Sequence, residues 1–301
     1  MDTTFITSSD YPGESTLFSS SEWTRLENNF TAWAQAQPSI QAAFAVGSRC
    51  RVDPPPDEWS DLDLMLFVTG REEFCHQNTW LNELGEVWDA VFNYTVNGDP
   101  EWLVTFAGGY NIDFVLLDSG QLSGLVQANP MPEPFMRGYR LLIDKDGLAA
   151  QLSPAPKQPQ QPPMPSQQDL TRIIGAFWYV AFYMAKQIRR RDLNMVQIRD
   201  HTLKEFLMTM MVWHALAVRG PQAPVWHMGR FMERWADPQA VRDLPTTFGL
   251  YEPESACRAL DNSLVLFQHL AHETSECLGL AYPTQVEEHM SSLVRDLLQG
   301  P

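Results

Sequence analysis

Two aspartates separated by a single residue, Asp61 and Asp63, open an apolar run that ends at Val68. Side chains at positions i and i+2 of a strand lie on the same face of a sheet, so the two carboxylates would share one face. The apolar run is typical of a central strand, in which two carboxylates are costly to bury without a metal ion. The pattern predicts a divalent metal site on a central strand; the alternative is a solvated face of an edge strand.

Two further segments add to this pattern. The run from Asn111 to Leu117 places Asp113 among apolar residues. An earlier run ends in Gly47 and Ser48, where a glycine lets the backbone approach a phosphate and a serine hydroxyl can donate to a phosphate oxygen. Three acids on neighbouring strands beside such a turn predict a two-metal site that transfers a nucleotide. The alternatives are an ordinary turn and a buried Asp113 bonded to backbone amides.

The spacing of Gly47-Ser48 and Asp61-Leu62-Asp63 resembles the signature of the polymerase-beta-like nucleotidyltransferase superfamily. The stretch from Pro56 to Asp63 is similar to the corresponding stretch of the aminoglycoside (streptomycin) 6-adenylyltransferases. Further matches to this family occur in its own order between residues 40 and 285: Gly47-Ser48-Arg49, Phe67-Val68, Trp80-Leu81-Asn82 with Gly85, Ile112-Asp113, Leu142 to Asp146, Phe177-Trp178 and Tyr282-Pro283. The ordered set makes the resemblance specific.

The resemblance implies an α/β nucleotidyltransferase domain with a mixed sheet, followed by an all-α helical-bundle domain. It implies an enzyme that transfers AMP from ATP to a hydroxyl of an aminoglycoside, the 6-hydroxyl of streptomycin. Pyrophosphate would be released, and antibiotic resistance would result. ATP is then a co-substrate, and two Mg²⁺ ions are the expected cofactors.

The resemblance also assigns roles to individual residues. The expected metal ligands and catalytic residues are Asp61, Asp63 and Asp113, and the expected ATP-binding residues are Gly47, Ser48, Arg49 and Lys186. Asp113 could complete the second metal site, accept the proton of the acceptor hydroxyl, or do both. Lys186 follows Phe177-Trp178 as a lysine does in the family, although it also fits a solvated basic cluster with residues 189–191.

The sequence constrains the identity of the acceptor less than it constrains the nucleotidyl-transfer reaction. The chain departs from the family in its longer Pro/Gln-rich linker and in Leu62, where the family often has an aromatic residue. One alternative is a nucleotidyltransferase that acts on another small molecule or on a protein. A second is a catalytically idle protein that binds ATP or an aminoglycoside. Glu101 and Glu133 are both candidates for binding ammonium groups of the acceptor, and the sequence does not choose between them.

Negative charge is concentrated in the first half of the chain. Residues 1–150 contain 22 Asp and Glu against 7 Lys and Arg, a net formal charge of −15, whereas residues 151–301 contain 15 against 14, a net charge of −1. Such a field repels nucleic acid and attracts a cation. It favours a small cationic acceptor and no nucleic-acid partner; the alternative is an acidity that serves solubility alone.

Cysteine usage and hydropathy indicate a cytoplasmic protein. The four cysteines show no C-x-x-C spacing, which predicts free thiols in a reducing compartment. The N-terminus lacks the basic start and apolar core of a signal peptide. The apolar stretch from Ile173 to Ala185 is too short to cross a bilayer. We expect a monomer without membrane contact.

Six prolines between Pro154 and Pro165 exclude a helix or a central strand and predict an extended connector, with a ligand for a partner domain as the alternative. The predicted organisation is a nucleotidyltransferase domain at 1–150, a Pro/Gln-rich linker at 151–168 and a helical domain at 169–301. Hydrophobic periodicity predicts a strand that ends at Val46 and strands at 62–68, 103–106, 112–117 and 139–143. It predicts helices at 20–36, 72–84, 194–218, 224–235, 254–278 and 283–298. A further helix is predicted to begin after Ser166 and to end at Lys186.

Overall fold

The computed structural model describes residues 18–156 and 161–299. The chain divides into two compact units, residues 1–160 and residues 161–301, which we call the α/β unit and the helical unit. The predicted limits of the linker, 151 and 168, stay a prediction, and its residues 157–160 lie outside the described residues. Over the described ranges, no helix is both long enough and apolar enough to cross a membrane.

The α/β unit is built on one six-stranded sheet. Its strands are β1 (Ile40–Val46), β2 (Leu62–Val68), β3 (Val87–Tyr94), β4 (Pro100–Phe106), β5 (Tyr110–Asp118) and β6 (Arg140–Asp144). In the order β3-β4-β5-β2-β1-β6, only β2 and β5 run parallel to each other. The predicted mixed sheet is therefore confirmed. The central position of β2, between β5 and β1, is also confirmed, and the edge-strand alternative is wrong.

Helices cover the two faces of this sheet to different extents. They are α1 (Ser20–Ala36), α2 (Glu72–His76), α3 (Gln121–Gln127) and α4 (Glu133–Met136). α1 begins where the Ser19 hydroxyl accepts the backbone N–H of Glu22, and it packs its apolar side into the larger core, on the first face. On the second face, α3 and α4 form a smaller core with the sheet. This core includes Phe67 of β2 and Phe135 of α4. Asp63 lies on this second face with Phe67, because the two residues are four positions apart on β2.

Two expectations for the α/β unit are corrected by the structure. The predicted helix at 72–84 is interrupted, because α2 ends at His76 and a separate 3₁₀ helix covers Thr79–Glu83. The interruption lets Trp80 stack on Trp33 of α1, with ring centroids 4.8 Å apart. β3 was not among the predicted strands. β3 lies at the edge of the sheet, and its apolar side chains lie on both faces. Its sequence therefore lacks the alternation of apolar and polar residues that indicates a strand.

The second unit is all helical among its described residues. Its helices are α5 (Gln167–Arg190), α6 (Leu193–Arg219), α7 (Met232–Trp235), α8 (Pro238–Asp243), α9 (Pro253–Leu278) and α10 (Thr284–Gln299). α5 begins with a capping box in which Ser166 and Asp169 exchange side-chain to backbone hydrogen bonds. Phe177 of α5 stacks on Phe267 of α9 with ring centroids 3.6 Å apart. The predicted helical bundle is confirmed.

Two details of the helical unit differ from expectation. The predicted helix at 224–235 is wrong, because Met228 and Phe231 have positive φ angles of 52° and 54° and leave only a 3₁₀ helix followed by α7. Tertiary hydrogen bonds stabilise the irregular path, since Arg219 Nη1 donates to the carbonyl of Trp235 at 2.7 Å. α5 does not end at Lys186 but continues to Arg190.

Candidate active site

The parallel pairing of β2 with β5 brings two of the predicted acids side by side. Asp63 and Asp113 are register partners in this pair. Neighbouring strands are about 4.8 Å apart, so the two side chains leave the same face next to each other. Asp61 directly precedes β2 rather than lying within it. Of the three acids expected on neighbouring strands, Asp63 lies on β2 and Asp113 on β5, whereas Asp61 does not lie on a strand.

The environment of Asp113 disfavours its charged form. Partial burial is the main cause, and the neighbouring carboxylates of Asp63, Asp61 and Glu101 add to it. Together they raise the pKa of Asp113 to about 7. A carboxyl group with this pKa changes its charge near neutral pH, which is the behaviour expected at a functional site.

Gly47 lies against the carboxylate of Asp63. A Cβ atom at Gly47 would be 2.0 Å from Asp63 Oδ2, so no side chain fits there without displacing the acid. Gly47 also has a φ of 69°, which other residues adopt with strain. Both the backbone conformation and the contact with Asp63 therefore require glycine at the end of β1.

Ser48 and Asp61 are joined across the site. Ser48 lies in the 3₁₀ helix Gly47–Cys50, and its Oγ donates to the backbone carbonyl of Asp61 at 3.1 Å. This hydrogen bond links the turn after β1 to the residue that enters β2. The structure thus places Gly47, Ser48 and the three acids in one part of the α/β unit.

Arg49 faces α1 and a group of carboxylates. Its guanidinium lies over the ring of Trp23, 3.8 Å from the centroid. Burial lowers the pKa of Arg49, although the negative charge of Asp61, Glu27 and Asp57 opposes this effect. Its Nε and Nη2 atoms are buried and have no hydrogen-bond partner within the described part of the chain. The sequence did not indicate Trp23 as a neighbour, since an aromatic residue on a helix is more often a core residue.

A fourth acid, Glu101, lies on the same face of the sheet as Asp113. β4 pairs with β5 so that Leu103 lies opposite Asp113 and Glu101 lies opposite Val115. Residues two apart on a strand share a face, so Glu101 and Asp113 project from the same side. The alternation of β4 is the sequence signal for this placement, but the partner strand could not be read from it.

A family model describes nearly the whole chain. The model of the streptomycin adenylyltransferases matches residues 22–297. The chain belongs to the streptomycin adenylyltransferase family. The resemblance found in the sequence is thereby confirmed, and a family of adenylyltransferases implies ATP as the co-substrate.

Relatives in this family are distant but extend over most of the chain. An aminoglycoside 6-adenylyltransferase from Bacillus subtilis (strain 168) is 22% identical over 263 residues, which cover 84% of this chain and 90% of that protein. An aminoglycoside 6-adenylyltransferase from Staphylococcus aureus is 21% identical over 284 residues, which cover 89% and 96%. The crystal structure of an aminoglycoside 6-adenyltransferase from Bacillus subtilis covers 94% of this chain and 99% of its own, with 18% identity and a TM-score of 0.44.

The donor set of this streptomycin adenylyltransferase family member fits a magnesium ion. Mg²⁺ at nucleotide sites is bound by one or two carboxylates together with substrate phosphates and water. Asp63 on β2 and Asp113 on β5 supply two adjacent carboxylates, and Asp61 lies one residue before the start of β2. Over residues 18–156 and 161–299, no three His, Cys, Asp or Glu side chains group closely enough to hold a metal ion alone. The fitting arrangement is a pair of carboxylates that a nucleotide would complete.

Lys186 belongs to the helical unit. Its ammonium group lies over the ring of Phe182, 4.4 Å from the centroid, and is 5.5 Å from the ring centroid of Tyr183. Both partners are on its own helix, α5. These contacts hold the side chain along the helix, and its predicted contact with ATP stays a prediction.

Proposed function

We propose that this protein transfers AMP from ATP to a hydroxyl of a cationic aminoglycoside, the 6-hydroxyl of streptomycin, and so confers resistance. The observation that carries the proposal is the in-register pair Asp63 and Asp113 beside Gly47 in a chain of this family. The net charge of −15 on residues 1–150 supports a cationic acceptor and not a nucleic acid. The names of the relatives support the acceptor class and the position of transfer.

In the proposed reaction, the acceptor oxygen forms a bond to the α-phosphorus of ATP. The bond from that phosphorus to the bridging oxygen breaks, and pyrophosphate leaves. Asp113 accepts the hydroxyl proton, holds a metal ion, or does both, and its pKa of about 7 suits a base at neutral pH. Asp61 and Asp63 are the other proposed ligands of two Mg²⁺ ions. Bound Mg²⁺ would neutralise negative charge that develops at the α-phosphate.

The nucleotide would be held by the turn after β1. Gly47 gives its phosphates access to the backbone because it has no side chain. Ser48 would exchange its hydrogen bond to the Asp61 carbonyl for one to a phosphate oxygen. Arg49 contributes a positive charge next to Asp61. Lys186 is a further proposed ATP-binding residue.

The deciding experiment is an incubation with ATP, Mg²⁺ and streptomycin, followed by mass spectrometry of the antibiotic. We expect an AMP adduct on streptomycin and an equal amount of pyrophosphate. Affinity for streptomycin should fall between about 50 and 500 mM salt, because salt screens the attraction of the acidic surface. In a second incubation, streptomycin is mixed with equal amounts of other candidate acceptors. An AMP adduct on one of those acceptors instead of streptomycin would favour a different substrate. ATP binding without any adduct would favour the idle binding protein.

A further inference from the structure

The sheet next to Asp113 offers a second carboxylate at a defined spacing. On β4, Glu101 is the diagonal neighbour of Asp113, because Leu103 lies directly opposite Asp113. Diagonal neighbours on one face of an antiparallel pair are about 7–8 Å apart. This spacing suits two groups of one small ring molecule, each bound by one of the carboxylates.

A neighbouring strand holds Glu101 in place. Asn93 of β3 is its register partner and donates from Nδ2 to Glu101 Oε1 at 3.1 Å. The amide fixes the carboxylate without neutralising its charge. The carboxylate is thus oriented, but its charge stays available to a cation.

Glu101 and Asp113 also repel each other. The two carboxylates are diagonal neighbours on one face of the sheet and carry like charges when both are ionised. A cation bound between the two carboxylates would relieve this repulsion. The pairing of β4 with β5 therefore creates a surface that attracts a cation.

The other candidate from the sequence, Glu133, lies in a different environment. It is on α4, and its Oε1 forms an ion pair with Arg137 Nε at 3.0 Å. Its negative charge is already balanced by Arg137, the residue that follows α4. Glu101, whose hydrogen-bond partner Asn93 is neutral, is the better ligand for an ammonium or guanidinium group.

We propose that Glu101 binds a cationic nitrogen on the ring that carries the acceptor hydroxyl, so that this hydroxyl lies over Asp113. The inference rests on the proposed function and names the residue that would orient the acceptor ring. Between the two carboxylates, the half-buried Leu103 offers an apolar contact for the carbon face of such a ring.

The test compares Glu101→Gln with wild type and with Glu133→Gln as the matched control. Glutamine keeps an oxygen that can accept from Asn93, so the local hydrogen bond is retained. We expect the KM for streptomycin to rise about tenfold in Glu101→Gln, the loss typical of a charge-assisted hydrogen bond, with kcat and the KM for ATP changed by less than about twofold. Glu101→Asp should restore part of the loss, and Glu133→Gln should behave as wild type.

A second measurement identifies the ring that Glu101 contacts. Streptidine, the guanidinium-bearing ring of streptomycin, should inhibit wild type competitively and should inhibit Glu101→Gln about tenfold less strongly. If an active wild type and Glu101→Gln share the same KM for streptomycin, Glu101 is not the ligand, although the proposed function stands. An equal rise in the KM for ATP would also overturn the inference, because it would indicate an altered fold. A wild type that modifies no aminoglycoside would overturn both proposals.

Discussion

The two units of this chain use buried and half-buried polar groups in opposite ways. In the helical unit, the hydroxyls of Ser263, Thr274 and Ser275 each donate to the carbonyl four residues earlier, at 2.7 Å. In the α/β unit, Asp63 and Asp113 lie side by side, and their charges oppose each other. Polar groups that are satisfied locally add stability, whereas like charges held together store a tendency to bind protons or cations. The contrast separates locally satisfied polar groups in the helical unit from the acids of the proposed active site in the α/β unit.

The sharpest way to break this comparison is to remove one charge from β2. Asp63→Asn keeps the size of the side chain and removes a proposed metal ligand, so we expect AMP transfer to fall about a thousandfold while the unfolding temperature does not drop. Asp61→Asn should have a similar effect. Turnover and thermal unfolding are the measurements, and Asp146→Asn, in an exposed loop, is the control. Near-normal turnover in Asp63→Asn would contradict the metal assignment.

The helical unit should respond in the opposite manner to a change in its core. Phe177 is fully buried and stacked on Phe267, so Phe177→Ala should destabilise the protein by about 3–5 kcal/mol. Chemical denaturation measures this loss. Tyr179→Ala on the same helix is the control, because that side chain is 69% exposed and should cost far less. Equal losses for the two variants would show that the stack contributes little.

Asp113→Asn tests the cost of the acidic pair for stability. Because the folded state raises the pKa of Asp113 from 3.8 to about 7, the folded protein is penalised for ionising this group as pH rises between those values. In metal-free protein, the variant should therefore match wild type near pH 4 and unfold at a higher temperature at pH 8. Calorimetry over this range checks the trend. A variant that is less stable at pH 8 would mean that Asp113 is a structural residue bonded to the backbone.

The smallest expected effect concerns Lys186, which is proposed to bind ATP. Lys186→Ala should raise the KM for ATP about fivefold, the upper range for a partly exposed ion pair, and should leave the KM for streptomycin unchanged. Arg190→Ala, at the exposed end of the same helix, is the control. Calorimetry with ATP and Mg²⁺ gives the affinity directly. Unchanged affinity would place Lys186 with the solvated basic cluster.

Much of the secondary structure was predictable because its signals are local. The helix at 20–36 and the strand at 62–68 have the predicted limits, since hydrophobic periodicity and capping residues act within a few positions. The helix predicted at 224–235 did not form. The helical preference of that segment is overridden by its tertiary contacts. Met228 and Phe231 have positive φ angles, and Arg219 donates to the carbonyl of Trp235. The helix predicted at 72–84 is interrupted in the same way, by the packing of Trp80.

The sequence by itself determined which residues can carry the chemistry. A glycine, a serine and an acid pair at this spacing, with a third acid in an apolar run, indicated the superfamily and the type of reaction. The ordered matches between residues 40 and 285 indicated the family, which the family model confirms. Only the tertiary structure decided which of these residues meet. Asp63 and Asp113 are distant in the chain, and their contact depends on the parallel register of β2 and β5. The choice between Glu101 and Glu133 depends likewise on strand order, because nonlocal pairing is set by the packing of the whole sheet and not by any one segment.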